Sequence, residues 1–224
     1  MNLHQYPDEE LMMVRLASKL AGQLENVLFH EDRASFVVPG GTTPGPIFDA
    51  LCAARIDWPR VDVMLSDERW LPEAHVRSNA RLIRERLLQG RAAEAVFHPY
   101  YTGSATPDET LAEIESTIAP CLPISVLLLG MGKDMHTASL FPKARGLAEA
   151  LSPDTRTILQ TIEAEGQPET RVTMTSNVLN GALNKHLVIT GAEKRKALER
   201  AATLSPERAP VNAVLEEMEV HWAP

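Results

Sequence analysis

A chain of 224 residues with 44% hydrophobic content can bury one full core, and residues 1–224 are expected to form a single domain. A formal charge of −8 and an isoelectric point near 5.4 argue against general binding to nucleic acid or to an anionic membrane, since both select a basic surface. Two cysteines, Cys52 and Cys121, are too few for a disulfide framework or a thiolate metal site and read as core thiols in a reducing compartment.

Asp8, Glu9 and Glu10 stand where a secretory signal would need a basic start and an apolar run. No stretch has the length of a membrane-spanning helix, so a cytoplasmic location is expected. From about residue 8 to 30, Leu11, Val14, Leu16, Leu20, Leu24 and Leu28 recur at helical spacing behind Pro7. A β-type run over 34–38 then ends at Pro39-Gly40-Gly41. Thr42, Thr43, Pro44 and Pro46 introduce a helix expected through residue 55, with hydroxyl residues at its cap.

Residues 61–65 read as a strand closed by the polar loop Ser66-Asp67-Glu68-Arg69. A helix is expected from Ser78-Asn79 to Gln89, a short extended piece over 95–97 and a helix over 107–118. The apolar run 124–129 reads as a central buried strand, followed by strands over 157–161, 171–174 and 186–190. The segment Thr190-Gly191-Ala192-Glu193-Lys194 is followed by a helix to about residue 202, and a short helix over 211–215 and a strand over 219–222 close the chain. Strands alternating with helices indicate an α/β, Rossmann-like fold: a mostly parallel sheet with helices on both faces.

In such a sheet the loops leaving the carboxyl ends of the strands converge on one crevice. The central strand there runs into Gly130-Met131-Gly132-Lys133-Asp134-Met135-His136. Gly130 and Gly132 permit tight turns and close approach to a ligand. His136 offers an imidazole for proton transfer and Asp134 a carboxylate to orient it. The plainer reading makes Asp134 a helix cap and His136 a satisfied loop histidine.

Gly40, Gly41, Thr42 and Thr43 make a candidate anion cradle, although the same residues also serve as an ordinary turn. Lys194 sits at a helix start, where a cation works against the dipole unless an anion binds there; otherwise it is a solvated lysine. Arg171 can grip an oxyanion or phosphate. Asp67 and Arg69 fit either a site or a surface ion pair.

The ordered motifs Pro39 to Pro44, Ser66-Asp67-Glu68-Arg69-Trp70-Leu71-Pro72, Ser78-Asn79, Leu129 to Pro142, Arg171-Val172-Thr173 and Gly191 to Lys194 resemble those of 6-phosphogluconolactonases, across nearly the whole chain. The resemblance implies hydrolysis of 6-phospho-D-glucono-1,5-lactone to 6-phosphogluconate in the oxidative pentose phosphate pathway, with no metal or organic cofactor. The expected partner is the small-molecule phosphosugar lactone, with no nucleic acid or membrane; monomer and small homo-oligomer both stay open.

Under that resemblance His136 is the general base on water, and Asp134 fixes its tautomer. Arg69 and Asp67 serve the reacting end, while Arg171, Lys194 and the Gly41 to Thr43 turn hold the 6-phosphate. Met135 departs from the family's usual glycine, which implies backbone strain if the position needs a positive φ.

The alternatives are the related glucosamine-6-phosphate deaminases and a non-catalytic phosphosugar-binding protein. The deaminases differ in having a glutamate where Phe141 stands here and a tyrosine at Arg69. Phenylalanine cannot transfer a proton.

Overall fold

A computed structural model describes residues Met1–Pro224. In chain order it contains β1 (Asn2–Gln5), α1 (Glu9–His30), β2 (Ala34–Val38), α2 (Gly45–Leu51), β3 (Val61–Leu65), β4 (Asp67–Arg69), α3 (Asn79–Arg86), β5 (Val96–His98), α4 (Leu111–Ile118), β6 (Val126–Gly130), α5 (Leu147–Leu151), β7 (Leu159–Ile162), β8 (Arg171–Met174), α6 (Ser176–Asn180), β9 (Asn184–Thr190), α7 (Gly191–Ala201) and β10 (Glu219–Ala223). Seven strands form one sheet in the order β1-β10-β9-β6-β2-β3-β5, every pair parallel.

Parallel strands must be covered on both faces, and β2, β3 and most of β6 are accordingly buried along their length. Chain order reverses between β2 and β6, which makes the crevice at their carboxyl ends the place for a ligand. The long helix α1 starts where Asp8 accepts a hydrogen bond from the Leu11 N–H at 2.7 Å. It buries Met12, Met13, Leu16, Ala17, Leu20, Leu24 and Leu28, the stripe that its apolar spacing predicts. No helix is long and apolar enough to cross a membrane.

Several elements differ from the sequence reading. β1 was too short and polar to be anticipated; it joins the edge because its backbone pairs with β10. The polar segment 67–69 is a strand, not a loop, and β4, β8 and β7 form a separate antiparallel sheet. α2 ends at Leu51, short of residue 55, and its N-cap is Pro44 rather than a threonine, so Thr42 and Thr43 keep their hydroxyls free. The helix expected over 107–118 is interrupted at Thr110, where φ is −133°. Neither cysteine is a fully buried core thiol: both are half-buried, and Cys121 lies beside His98 and Asp62.

The edge formed by β9, β10 and β1 carries a polar seam. His186 Nδ1 lies 3.1 Å from His221 Nε2, His186 Nε2 meets the Gln23 side-chain oxygen at 2.7 Å, and His221 Nδ1 meets the Tyr6 hydroxyl at 2.9 Å. Burial holds His186 down to about 4 and His221 to about 3, so both imidazoles are neutral in the native state. An unfolded histidine titrates near 6.5, so the unfolded chain takes up protons that the native state refuses once the pH falls below that value. Stability at these two residues is therefore intact above about pH 6.5 and is lost as the pH falls towards the native-state values.

Between pH 7 and 5 the denaturant midpoint should fall by an amount equivalent to about 2–4 kcal/mol. The His221→Gln variant should shrink that dependence. An unchanged midpoint in the wild-type chain would mean that the native imidazoles are charged.

A cationic cleft around an oriented imidazole

The loops after β2 and β6, the start of α7 and the small antiparallel sheet enclose a cleft of about 280 Å³. Gly40, Gly41, Thr42, Thr43, Asp67, Arg69, Gly130, Gly132, His136, Arg171 and Lys194 all line it. Asp134, the remaining residue singled out from sequence, stands behind the imidazole with its Oδ1 2.5 Å from His136 Nδ1. Spatial convergence of the loops thus holds.

The backbone around His136 is tightly folded. Gly132 N–H donates to the His136 carbonyl at 3.0 Å, and a Cβ on Gly132 would come within 2.3 Å of the imidazole, so only glycine leaves room for the ring. Thr137 Oγ1 donates to the Gly130 carbonyl at 2.8 Å and anchors the far side of the turn. The ring packs on Phe141 with centroids 4.4 Å apart. With Nδ1 committed to Asp134, Nε2 is the nitrogen left to act. Burial pushes the Asp134 carboxyl up, but the hydrogen bond and charge of His136 outweigh this and hold it below the usual carboxylate range.

Met135 has φ of 69°, the left-handed conformation anticipated for a position that usually holds glycine. Its side chain is only 5% exposed, and its carbonyl accepts from Val211 N–H at 3.0 Å. Replacing Met135 with glycine relieves roughly 1–2 kcal/mol of backbone strain but removes a buried methionine side chain, which costs about 2–5 kcal/mol. The Met135→Gly variant should therefore be less stable by about 1–3 kcal/mol, measured by denaturant unfolding. A gain in stability would show that the side chain packs poorly.

On the opposite wall, β4 pairs with β8 so that Arg69 lies directly across from Arg171. Asp67 does not pair with Arg69, as one sequence reading had it. It accepts from Ser66 Oγ at 2.9 Å and Ser139 Oγ at 2.6 Å, and its nearest guanidinium is Arg171 at 3.9 Å. Arg69 donates instead to the Arg77 carbonyl at 2.6 Å.

Arg171 is 4% exposed and donates to Gln167 Oε1 at 2.6 Å. Burial holds its guanidinium below the ordinary arginine range, and the neighbouring charge of Arg69 adds to that, against Asp67. The Nε atoms of both arginines are buried without a hydrogen-bond partner. Unmet donors of this kind are costly unless a ligand meets them.

Lys194 is half-buried on the first turn of α7, and burial with the nearby Lys133 charge holds its ammonium below the usual lysine range. Its neighbour Glu193 pairs with Lys133 instead. Gly41 has φ of 85° and turns the chain at the cradle, next to the free threonine hydroxyls. Three cations and one carboxylate therefore line a cleft in a chain of net charge −8, a local reversal that suits a small anion.

Sequence reasoning gave no role to Asn79, Glu68 or Ser139. Asn79 lines the cleft, donates to the Asp67 carbonyl at 2.8 Å and leaves its buried Oδ1 without a partner. Its signal in the sequence was its place just after Ser78, the N-cap of α3. Glu68 is fully buried beneath it and accepts from the backbone N–H groups of Arg69, Asn79 and Ala80 and from Ser78 Oγ. Burial raises its carboxyl above the ordinary range, and those backbone donors only partly offset this.

A family model described as glucosamine-6-phosphate isomerases/6-phosphogluconolactonase matches residues 7–222. The chain is 41% identical over 213 residues to a 6-phosphogluconolactonase of Pseudomonas aeruginosa, covering 93% of this chain and 89% of that protein. It is 36% identical to a 6-phosphogluconolactonase of Rhizobium meliloti, covering 100% and 99%. A crystal structure of a 6-phosphogluconolactonase from Shewanella baltica superposes with a TM-score of 0.96 at 30% identity, covering 100% of this chain and 98% of that one.

Proposed function

The chain belongs to the glucosamine-6-phosphate isomerase/6-phosphogluconolactonase family, and from that membership we infer that it hydrolyses 6-phosphogluconolactone to 6-phosphogluconate in the pentose phosphate pathway. It is a carboxylic ester hydrolase acting on a sugar lactone. The observation that carries the residue-level reading is the Asp134-bound imidazole of His136 lining the same cleft as Arg69, Arg171 and Lys194.

In the proposed reaction, neutral His136 takes a proton through Nε2 from a water molecule as the water oxygen attacks the lactone carbonyl carbon. Asp134 keeps the proton on Nδ1 and stabilises the imidazolium. The tetrahedral oxyanion is met by an arginine N–H, with Arg69 the first candidate and the backbone near Gly132 a second. Collapse breaks the bond between the carbonyl carbon and the ring oxygen, which leaves as a hydroxyl with the proton from His136. The carboxylic acid product then ionises.

The phosphate, remote from the reacting carbon, is assigned to Lys194, Arg171 and the Gly40 to Thr43 turn, where it anchors the ring for attack. Asn79 Oδ1 is assigned to a sugar hydroxyl, the donor it lacks. Phe141 fills the position that the deaminases give to a glutamate; it packs on the His136 ring and beneath the Arg171 guanidinium at 5.5 Å, and has no proton to move.

The test generates the phospholactone in situ and follows its decay against the uncatalysed blank, with glucosamine 6-phosphate supplied in parallel. Faster lactone loss without ammonia release supports the assignment, and ammonia release overturns it. For the phosphate contact, Lys194→Ala should raise KM by about 10–100-fold with a smaller change in kcat, as expected when a charge-assisted hydrogen bond is removed from binding. An unchanged KM would move the phosphate elsewhere.

A further inference from the structure

We propose that His186, His221 and Glu219, in the polar seam at the sheet edge, form a binding site for a zinc-type divalent ion separate from the catalytic cleft. One ligand atom from each residue lies within 4.8 Å of the others, and none of the three residues lines the cleft. The parallel register of β9 and β10 sets Glu219 beside His186, and His221 follows two residues later on the same face. Three ligands therefore converge from two adjacent strands, with α1 packed against β10.

The spacing suits the ion. A tetrahedral zinc with bonds of about 2.0–2.1 Å sets its nitrogen ligands about 3.3 Å apart, and His186 Nδ1 and His221 Nε2 are already 3.1 Å apart. The Gln23 oxygen accepts from His186 Nε2–H, which leaves the His186 lone pair on Nδ1, facing His221. A single proton then lies between the two rings, on His221 Nε2, while the Tyr6 hydroxyl donates to His221 Nδ1.

On metal binding that proton moves to Nδ1 and donates to the Tyr6 oxygen, freeing Nε2 as a ligand. No net proton is gained or lost. Both rings are held neutral by burial, the form in which imidazole ligates.

The carboxylate is prepared in the same way. Lys19 and His4 both contact Glu219 Oε2, His4 at 3.2 Å, so Oε1 has no such partner and can ligate while the other oxygen stays held. Glu219 and His4 are about a third exposed, which gives an ion a route in and leaves a fourth position for water. Two imidazoles and one carboxylate select zinc or cobalt over magnesium or calcium, which prefer oxygen-only ligands. The second cluster, Asp62, His98 and Cys121, is a poorer candidate: Arg33 holds both Asp62 oxygens, and burial pushes the Cys121 thiol up to about 11.

Metal-free protein titrated with zinc chloride in a calorimeter should bind one ion per chain, with a raised melting temperature. Cobalt should give the visible absorption of a four-coordinate nitrogen–oxygen site. Glu219→Gln and His221→Gln should each weaken zinc binding by about tenfold or more, since each removes one ligand. His136→Ala and Cys121→Ser should leave it unchanged. Should His221→Gln fail to fold, the partly exposed Glu219→Gln decides. No zinc uptake, or uptake lost in His136→Ala or Cys121→Ser but kept in Glu219→Gln, overturns the site.

Discussion

Alanine at position 136 is expected to lower kcat for the phospholactone by about 10²–10⁴-fold, the range over which general-base assistance acts. Product affinity should change little, because the cations assigned to the phosphate lie on other elements: Lys194 on α7 and Arg171 on β8. Asp134→Asn should also lose rate, since an amide cannot hold Nδ1–H and stabilise the imidazolium as a carboxylate does. An alanine variant within a few-fold of wild type would take His136 out of the role.

Glu68→Ala is expected to cost about 3–5 kcal/mol of stability, the largest single structural effect near the site. Its carboxylate, fully buried, receives Asn79 N–H and Ala80 N–H at 2.7 Å each, Arg69 N–H at 2.8 Å and Ser78 Oγ at 3.1 Å. Each buried donor left without a partner costs about 1–3 kcal/mol, and water entering the vacated space recovers only part of this. Arg69 and Asn79 both line the cleft, so kcat/KM should fall with stability. Glu68→Gln keeps the volume but turns an amide N–H₂ towards other donors, so it should recover less than half of the loss. A change below about 1 kcal/mol in urea unfolding would show that these donors find other partners.

Most of the frame can be read from the sequence, because buried parallel strands are written as short runs that are apolar but for one residue near the start, Ser35, Asp62 and Ser125. Residues 34–38, 61–65 and 124–129 all read this way. The loops that follow carry glycine, hydroxyl, acid and histidine side chains, and the parallel topology alone brings them together. β4 could not be read: Asp67-Glu68-Arg69 has no strand periodicity, and it pairs only because β8, a hundred residues later in round numbers, supplies the partner. The burial of Glu68 is hidden for the same reason, since donors that surround it come from the start of α3.

The expectation that Thr42 and Thr43 cap a helix failed because Pro44 takes the N-cap position, which leaves both hydroxyls to the cleft. Met135 was legible in one respect only: the sequence flagged its backbone, while the burial of its side chain needed the fold. The histidine seam gave no sequence signal. His4, His186 and His221 are far apart in the chain and meet only through the strand order β1-β10-β9.

The unmet donor of Arg69 bears on what happens after bond cleavage. Ring opening converts a neutral ester into a carboxylate, so the departing molecule carries one more negative group than the arriving one. On the proposed reading, that new group forms beside the guanidinium of Arg69, whose Nε donor was unmet. On that reading the attraction that eases the barrier also holds 6-phosphogluconate more tightly than the uncharged lactone group it came from.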